Sequence, residues 1–182
     1  MNKILISLMF VMIFFVGSCG GDNGNTGDTG NTGDTGNTGD TGDTCTGGDK
    51  FCHSRNGLNW SDASSSFVPW GQAIIYCENL GGRLPTISEL RTLIQNCPGT
   101  ETGGECGVTD NCLSFDDCCD YPCDGCKSAG SGEYSVFGDT YGFWSSSEWS
   151  VHTNYAWYVD FRNGCVSASA KNNFDFLVRC LR

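Results

Sequence analysis

Apolar residues Trp70, Ala73, Ile74, Cys77 and Leu80 recur at helical spacing, so one face of a helix is set over this stretch. Pro69 suits its first turn, and Gly81-Gly82 supplies a stop. Arg83-Leu84-Pro85 is too extended to be helical. Thr86-Ile87-Ser88-Glu89 then reads as a capping box that opens a second helix. Leu90, Leu93 and Ile94 form its apolar face, and Asn96-Cys97-Pro98-Gly99 is expected to end it. Upstream, Gly57-Leu58-Asn59-Trp60 is short and strand-like. Downstream, Tyr155, Trp157, Val159 and Phe161 alternate with Ala156, Tyr158, Asp160 and Arg162, the period of a strand. Asn163-Gly164 predicts a hairpin back through Cys165–Ala170, and Lys171-Asn172-Asn173 predicts another turn. Phe174, Phe176, Val178 and Cys180 then alternate to the end. Two helices followed by an antiparallel meander make an α+β domain.

Residues 97–135 break the pattern. Little hydrophobic periodicity survives there, and Gly, Asp, Ser and seven cysteines take over. Apolar burial alone cannot hold such an insert, so cross-links must.

The N-terminal stretch has a different logic. Lys3 precedes a 13-residue apolar run, Ile4 to Val16, too short to span a bilayer and ending in small residues. Residues 1–18 read as an export signal. Val16-Gly17-Ser18-Cys19 resembles a bacterial lipobox, which implies cleavage before Cys19 and a diacylglyceryl group on its thiol. Gly20 in place of Asp implies sorting to the outer membrane or cell surface, and two acyl chains anchor stably. Residues 19–50 form the lipidated start and a spacer. Between Gly24 and Thr44, Gly-Asn/Asp-Thr repeats seven times without proline, so a flexible acidic tether is expected in place of a triple helix. Some 25 such residues span about 25–30 Å on average. The globular domain is expected over 51–182.

The formal net charge of −11, with no basic run, argues against nucleic acid and anionic lipid surfaces. Membrane contact is expected through the anchor alone, and composition leaves oligomeric state open. Thirteen cysteines point to an oxidising compartment. Setting aside Cys19 leaves an even twelve: Cys45, Cys52, Cys77, Cys97, Cys106, Cys112, Cys118, Cys119, Cys123, Cys126, Cys165 and Cys180. Disulfides are expected for all of these, with Cys45–Cys52 a local pair. Cys118-Cys119-x-x-x-Cys123-x-x-Cys126 contains a C-x-x-C, yet export and even parity favour disulfides over zinc.

No cofactor is demanded by the pattern. Asp116, Asp117 and Asp120, with Asp110 and Asp124 nearby, are oxygen donors in one loop, and calcium is the ion they would suit; a solvated acidic loop is the plainer reading. Ser145–Ser147 with His152 lacks a G-x-S-x-G elbow, so no catalytic residue is assigned. His53 and His152 read as ordinary surface histidines. Most tryptophans fall on apolar stripes; Trp149 lies off them and is the candidate to line a ligand surface.

Seven motifs occur in order: Gly57-Leu58-x-Trp60; Trp70-x-x-Ala73; Tyr76-Cys77-x-Asn79-Leu80; Arg83-Leu84-Pro85-Thr86-x-x-Glu89-Leu90; Phe143-Trp144-Ser145-Ser146-Ser147; Ala156-Trp157-x-Val159-x-Phe161-x-x-Gly164; and Val178-Arg179-Cys180-Leu181-Arg182. Together they resemble the Lcl C-terminal domain, the globular end of bacterial collagen-like adhesins, from about 57 to 182. The resemblance implies a C-type-lectin-like fold and a non-catalytic surface role in binding glycan or protein. It also implies that the first helix packs on the terminal strand, which with the inward faces of Cys77 and Cys180 leads to a bridge between them. The calcium-dependent sugar motifs of true C-type lectins are absent. An enzyme on a formylglycine-generating-type scaffold, or a structural envelope lipoprotein, are the alternatives.

Overall fold

The computed structural model describes residues 44–119, 121–126 and 132–182; the expected export signal, the expected lipidation at Cys19, most of the spacer and Asp120 lie outside them. The first elements form a hairpin, β1 (His53–Arg55) and β2 (Leu58–Trp60), with Arg55 opposite Leu58. Its turn is Asn56-Gly57, both with positive φ (52° and 74°), the geometry that matches the twist of the flanking strands.

Helix α1 (Trp70–Leu80) starts after Pro69, and Gly81 ends it in the left-handed region at φ 83°. Gly82 N–H then closes on the Cys77 carbonyl. Ala73 and Cys77 are the fully buried positions of its inner face.

Helix α2 (Ile87–Arg91) opens on the expected capping box: the Glu89 N–H donates to Thr86 Oγ1 and the Thr86 N–H to Glu89 Oε2. It is shorter than the apolar spacing predicts. Arg91 is buried, and its guanidinium donates to the carbonyls of Thr100, Glu101 and Val108, which draws the following chain across the helix end. Leu93 and Ile94 are still buried, but in a turn that leaves the axis and passes through Asn96 at φ 59°.

Strands β3 (Gly142–Glu148), β4 (Tyr155–Asp160) and β5 (Cys165–Ala170) form one antiparallel sheet in that order. Its two faces feed two cores. Trp144, Ala156 and Tyr158 face α1 together with Phe51, Ala73, Cys77, Val178 and Cys180. Phe143, Trp157, Val159 and Phe161 face α2 and the insert, with Leu90, Leu93 and Val108. The β4–β5 connection differs from the two-residue hairpin read from Asn163-Gly164. Asp160 pairs with Cys165, so four residues turn, and only Gly164 takes positive φ (71°). The Asp160 carboxylate holds this loop by accepting from the Arg162 N–H and guanidinium.

The terminal segment is not a fourth meander strand. Phe176 bridges Val68, Leu177 lies parallel beside Phe143, and Leu181 bridges both Trp60 and Arg83. Both of its faces are covered: Val178 and Cys180 enter one core, Leu177 and Leu181 the other. A segment with two apolar faces belongs between layers, not at a sheet edge.

The insert contributes a short helix, α3 (Phe115–Cys118), and a 3-10 turn over Tyr121–Asp124 that lies against β5. Three disulfides staple it: Cys97–Cys126, Cys106–Cys123 and Cys112–Cys118. Cys45–Cys52 closes the arm before β1, and Cys77–Cys180 ties α1 to the terminal segment. Among the described residues, no helix is long and apolar enough to cross a membrane.

Candidate functional site

The motif residues hold the joints of the fold. Arg83 places two guanidinium N–H groups on Glu89, at 2.7 and 2.6 Å, while Glu89 also serves the capping box. The Arg83 hydrogen bond, foremost, holds the Glu89 carboxyl below its usual range. The Pro85 carbonyl accepts from the Ser146 N–H, and Ser147 Oγ accepts from the Ile87 N–H. Ser145 is fully buried and donates its hydroxyl to the Trp157 carbonyl, so the serine run fastens β3 to α2 and β4. Trp70 and Trp144 donate their indole N–H groups to the carbonyls of Ser145 and Val68.

Two surfaces among the described residues are taken as candidates for recognition. The first is aromatic. Phe67 and Tyr141 are 48% and 50% exposed and meet edge to face, with ring centroids 5.2 Å apart. Phe174, two residues before the Val68–Phe176 bridge, is 54% exposed. Next to this edge is a packed aromatic group: Phe176 stacks on Tyr158 at 4.3 Å and meets Trp144 at 4.7 Å. Gly142 permits that packing, since a Cβ there would lie 2.6 Å from the Phe176 ring. Nearby in the fold, Lys171 sits 3.9 Å over the Trp70 ring and pairs with Glu148.

The second surface is a cavity of about 250 Å³ between the 45–52 arm and α1, lined by Cys45, Asp49, Lys50, Asp62 and Tyr76 among others. Asp62 organises it. One carboxylate oxygen accepts from the Cys45 N–H at 2.9 Å, and the other lies 2.7 Å from His53 Nε2. Burial pushes the Asp62 carboxyl up, but the bonds from His53 and the Cys45 N–H outweigh it, and its pKa is lowered. Burial and the Asp62 charge push the Tyr76 phenol up. His53 is thus no surface histidine. It is 4% exposed, because β1 points its ring inward against Phe137.

Trp149 is half-buried, its ring edge-on to Phe115 and Tyr155, so the indole wedges into the second core more than it faces outward. Beside it, His152 stands exposed on the β3–β4 loop. Asp116 and Asp117 are exposed on the first turn of α3. Cys123 and Cys126 bond different partners, so their C-x-x-C spacing does not make a dithiol pair. Cys165 is disulfide-bonded, and Cys119 packs half-buried against the second core. The arm cluster and the Phe67–Tyr141 edge escaped the sequence reading; an Asn-Gly turn at 56–57 was the available signal for the first.

No curated protein and no solved structure matches the chain. The chain does match the Lcl C-terminal domain over residues 50–182, well over half its length. It belongs to the Lcl C-terminal domain family.

Proposed function

We propose that this chain is a lipid-anchored protein of the outer membrane or cell surface whose C-type-lectin-like domain binds a glycan or protein ligand without catalysis. One observation carries the reading: the exposed, edge-to-face Phe67–Tyr141 pair, whose chain neighbours Val68 and Gly142 pack on Phe176. Exposed large aromatics gathered at one edge are the composition of binding surfaces. Rings held by neighbours lose little freedom when a ligand arrives, so the contact is preorganised. A sugar's C–H face stacks on such rings, and an apolar protein patch fills the same edge. The net charge of −11 disfavours sulfated or phosphorylated partners and so favours neutral ones.

In this reading the tether holds the domain clear of the lipid headgroups, and Cys19 holds the tether. Calcium enters, if at all, through Asp116, Asp117 and Asp120 on the insert, away from the aromatic pair in sequence. A screen of neutral and acidic glycans and extracellular-matrix proteins, run with calcium and with chelator, tests the proposal. Selective binding to neutral ligands supports it; binding confined to anionic polymers contradicts it.

A further inference from the structure

Cys45, Cys52, His53 and Asp62 each bring a donor atom to one place, with all four atoms within 4.8 Å of one another. Two sulfurs, an imidazole nitrogen and a carboxylate oxygen are a zinc-type donor set. Metal–ligand distances of about 2.0–2.3 Å place tetrahedral donors about 3.3–3.8 Å apart, so shifts of about 1 Å complete the geometry. Two of the donors sit on or next to the β1–β2 hairpin. His53 lies on β1 opposite Trp60, and its ring is backed by Phe137 at 5.2 Å; Asp62 lies two residues beyond the end of β2.

As the structure stands, the two sulfurs are joined in a disulfide and the Asp62 carboxylate pairs with His53. We propose that this cluster is a redox-gated metal site: opening the Cys45–Cys52 disulfide creates a two-Cys, His, Asp site for zinc or a similar divalent ion. The balance is simple. A dithiol reductant gives two electrons and two protons to the disulfide, yielding two thiols and its own cyclic disulfide. The metal ion then displaces both thiol protons as it binds. Among the bridges with both cysteines described, exposure selects this one for reduction. Cys52 is exposed and Cys45 half-buried, whereas Cys77 and Cys180 are fully buried and the insert bridges have no exposed cysteine. Disulfide and metal are alternative clasps for one element. Either one keeps the 45–52 arm, where the tether meets the domain, closed over Asp62 and its cavity.

The test uses the full-length protein, treated anaerobically with a limiting small dithiol that is removed before metal is added. Differential alkylation identifies which bridge opened. Cobalt(II) is then titrated and followed by its thiolate charge-transfer and tetrahedral absorption, with zinc as competitor. The expected result is Cys45 and Cys52 reduced first, one cobalt bound per chain, and displacement by zinc. The double variant Cys45→Ser/Cys52→Ser should lose the signal. Asp62→Asn and His53→Gln, which keep the bridge, should weaken binding by about tenfold or more. Three results overturn the proposal: another bridge opening while Cys45–Cys52 stays closed, no thiolate–cobalt absorption once both thiols are shown to be free, or a signal that survives the double serine variant.

Discussion

Arg179 lays its Nε and Nη2 groups on the two oxygens of Asp139, at 2.9 and 2.8 Å, with both side chains less than a tenth exposed. Its remaining Nη1 donates to the Ser61 carbonyl, and the guanidinium lies 4.8 Å from the Phe137 ring. One arginine therefore joins the terminal segment, the end of the β1–β2 hairpin and the chain leading into β3. Removing one partner leaves a buried, uncompensated charge, which costs about 3–5 kcal/mol. Asp139→Ala should show that loss in urea unfolding, and the isosteric Asp139→Asn should lose less because it keeps an acceptor for the guanidinium.

The Cys77–Cys180 disulfide spans a sequence separation of 103 and joins the two elements that frame the first core. The chain-entropy relation puts its contribution at about 4–5 kcal/mol, and that of a bridge closing a very short loop at about half as much. Replacing both cysteines with alanine should lower the melting temperature by roughly 10–20 °C. Removing Cys112–Cys118, whose separation is 6, should lower it markedly less.

Acid sensitivity should trace in part to Glu89. Its carboxyl is depressed in the folded state, chiefly by the Arg83 hydrogen bond. The unfolded chain therefore takes up its proton first as the pH falls. The stabilisation is complete above the unfolded value, about pH 4.5, and is lost as pH drops toward the lower folded value. Melting temperature measured against pH should fall less steeply below about pH 4.5 in Glu89→Gln than in the wild type, from a lower plateau at neutral pH.

The proposed reading puts membrane attachment on Cys19. Intact mass of the protein from its native host should show a chain that begins at Cys19 and carries added acyl mass. Cys19→Ala should leave the protein out of the membrane fraction. An unmodified wild-type chain in the soluble fraction would contradict the anchor.

Helix α1 was legible because its signals agree: apolar residues at one spacing, Pro69 before it and Gly81 after it. The faces of β4 were equally plain, since Trp157 and Val159 enter one core while Ala156 and Tyr158 enter the other. Other features depended on distant contacts. The early end of α2 follows from where the Arg91 guanidinium finds its carbonyls, in a loop that local propensity does not encode. The terminal segment alternates like a strand, but its neighbours on both sides decide that it threads between layers. Strand β1 has three residues, too few for alternation to reveal that His53 faces inward. Phe67 and Tyr141 come from unconnected loops, so no periodicity links them. Pairings within the insert rest on folded geometry, which cysteine spacing alone does not supply.

The most direct test compares the wild type with Phe67→Ala/Tyr141→Ala on one array of neutral glycans and extracellular-matrix proteins. Matched circular dichroism and melting curves would show that both proteins are folded. The proposed reading predicts selective binding by the wild type to at least one neutral glycan or matrix protein. It also predicts about a tenfold or greater loss in the double variant, the equivalent of about 1.4 kcal/mol. Wild-type binding that the double variant retains in full, or no binding to any ligand on the array, would contradict it.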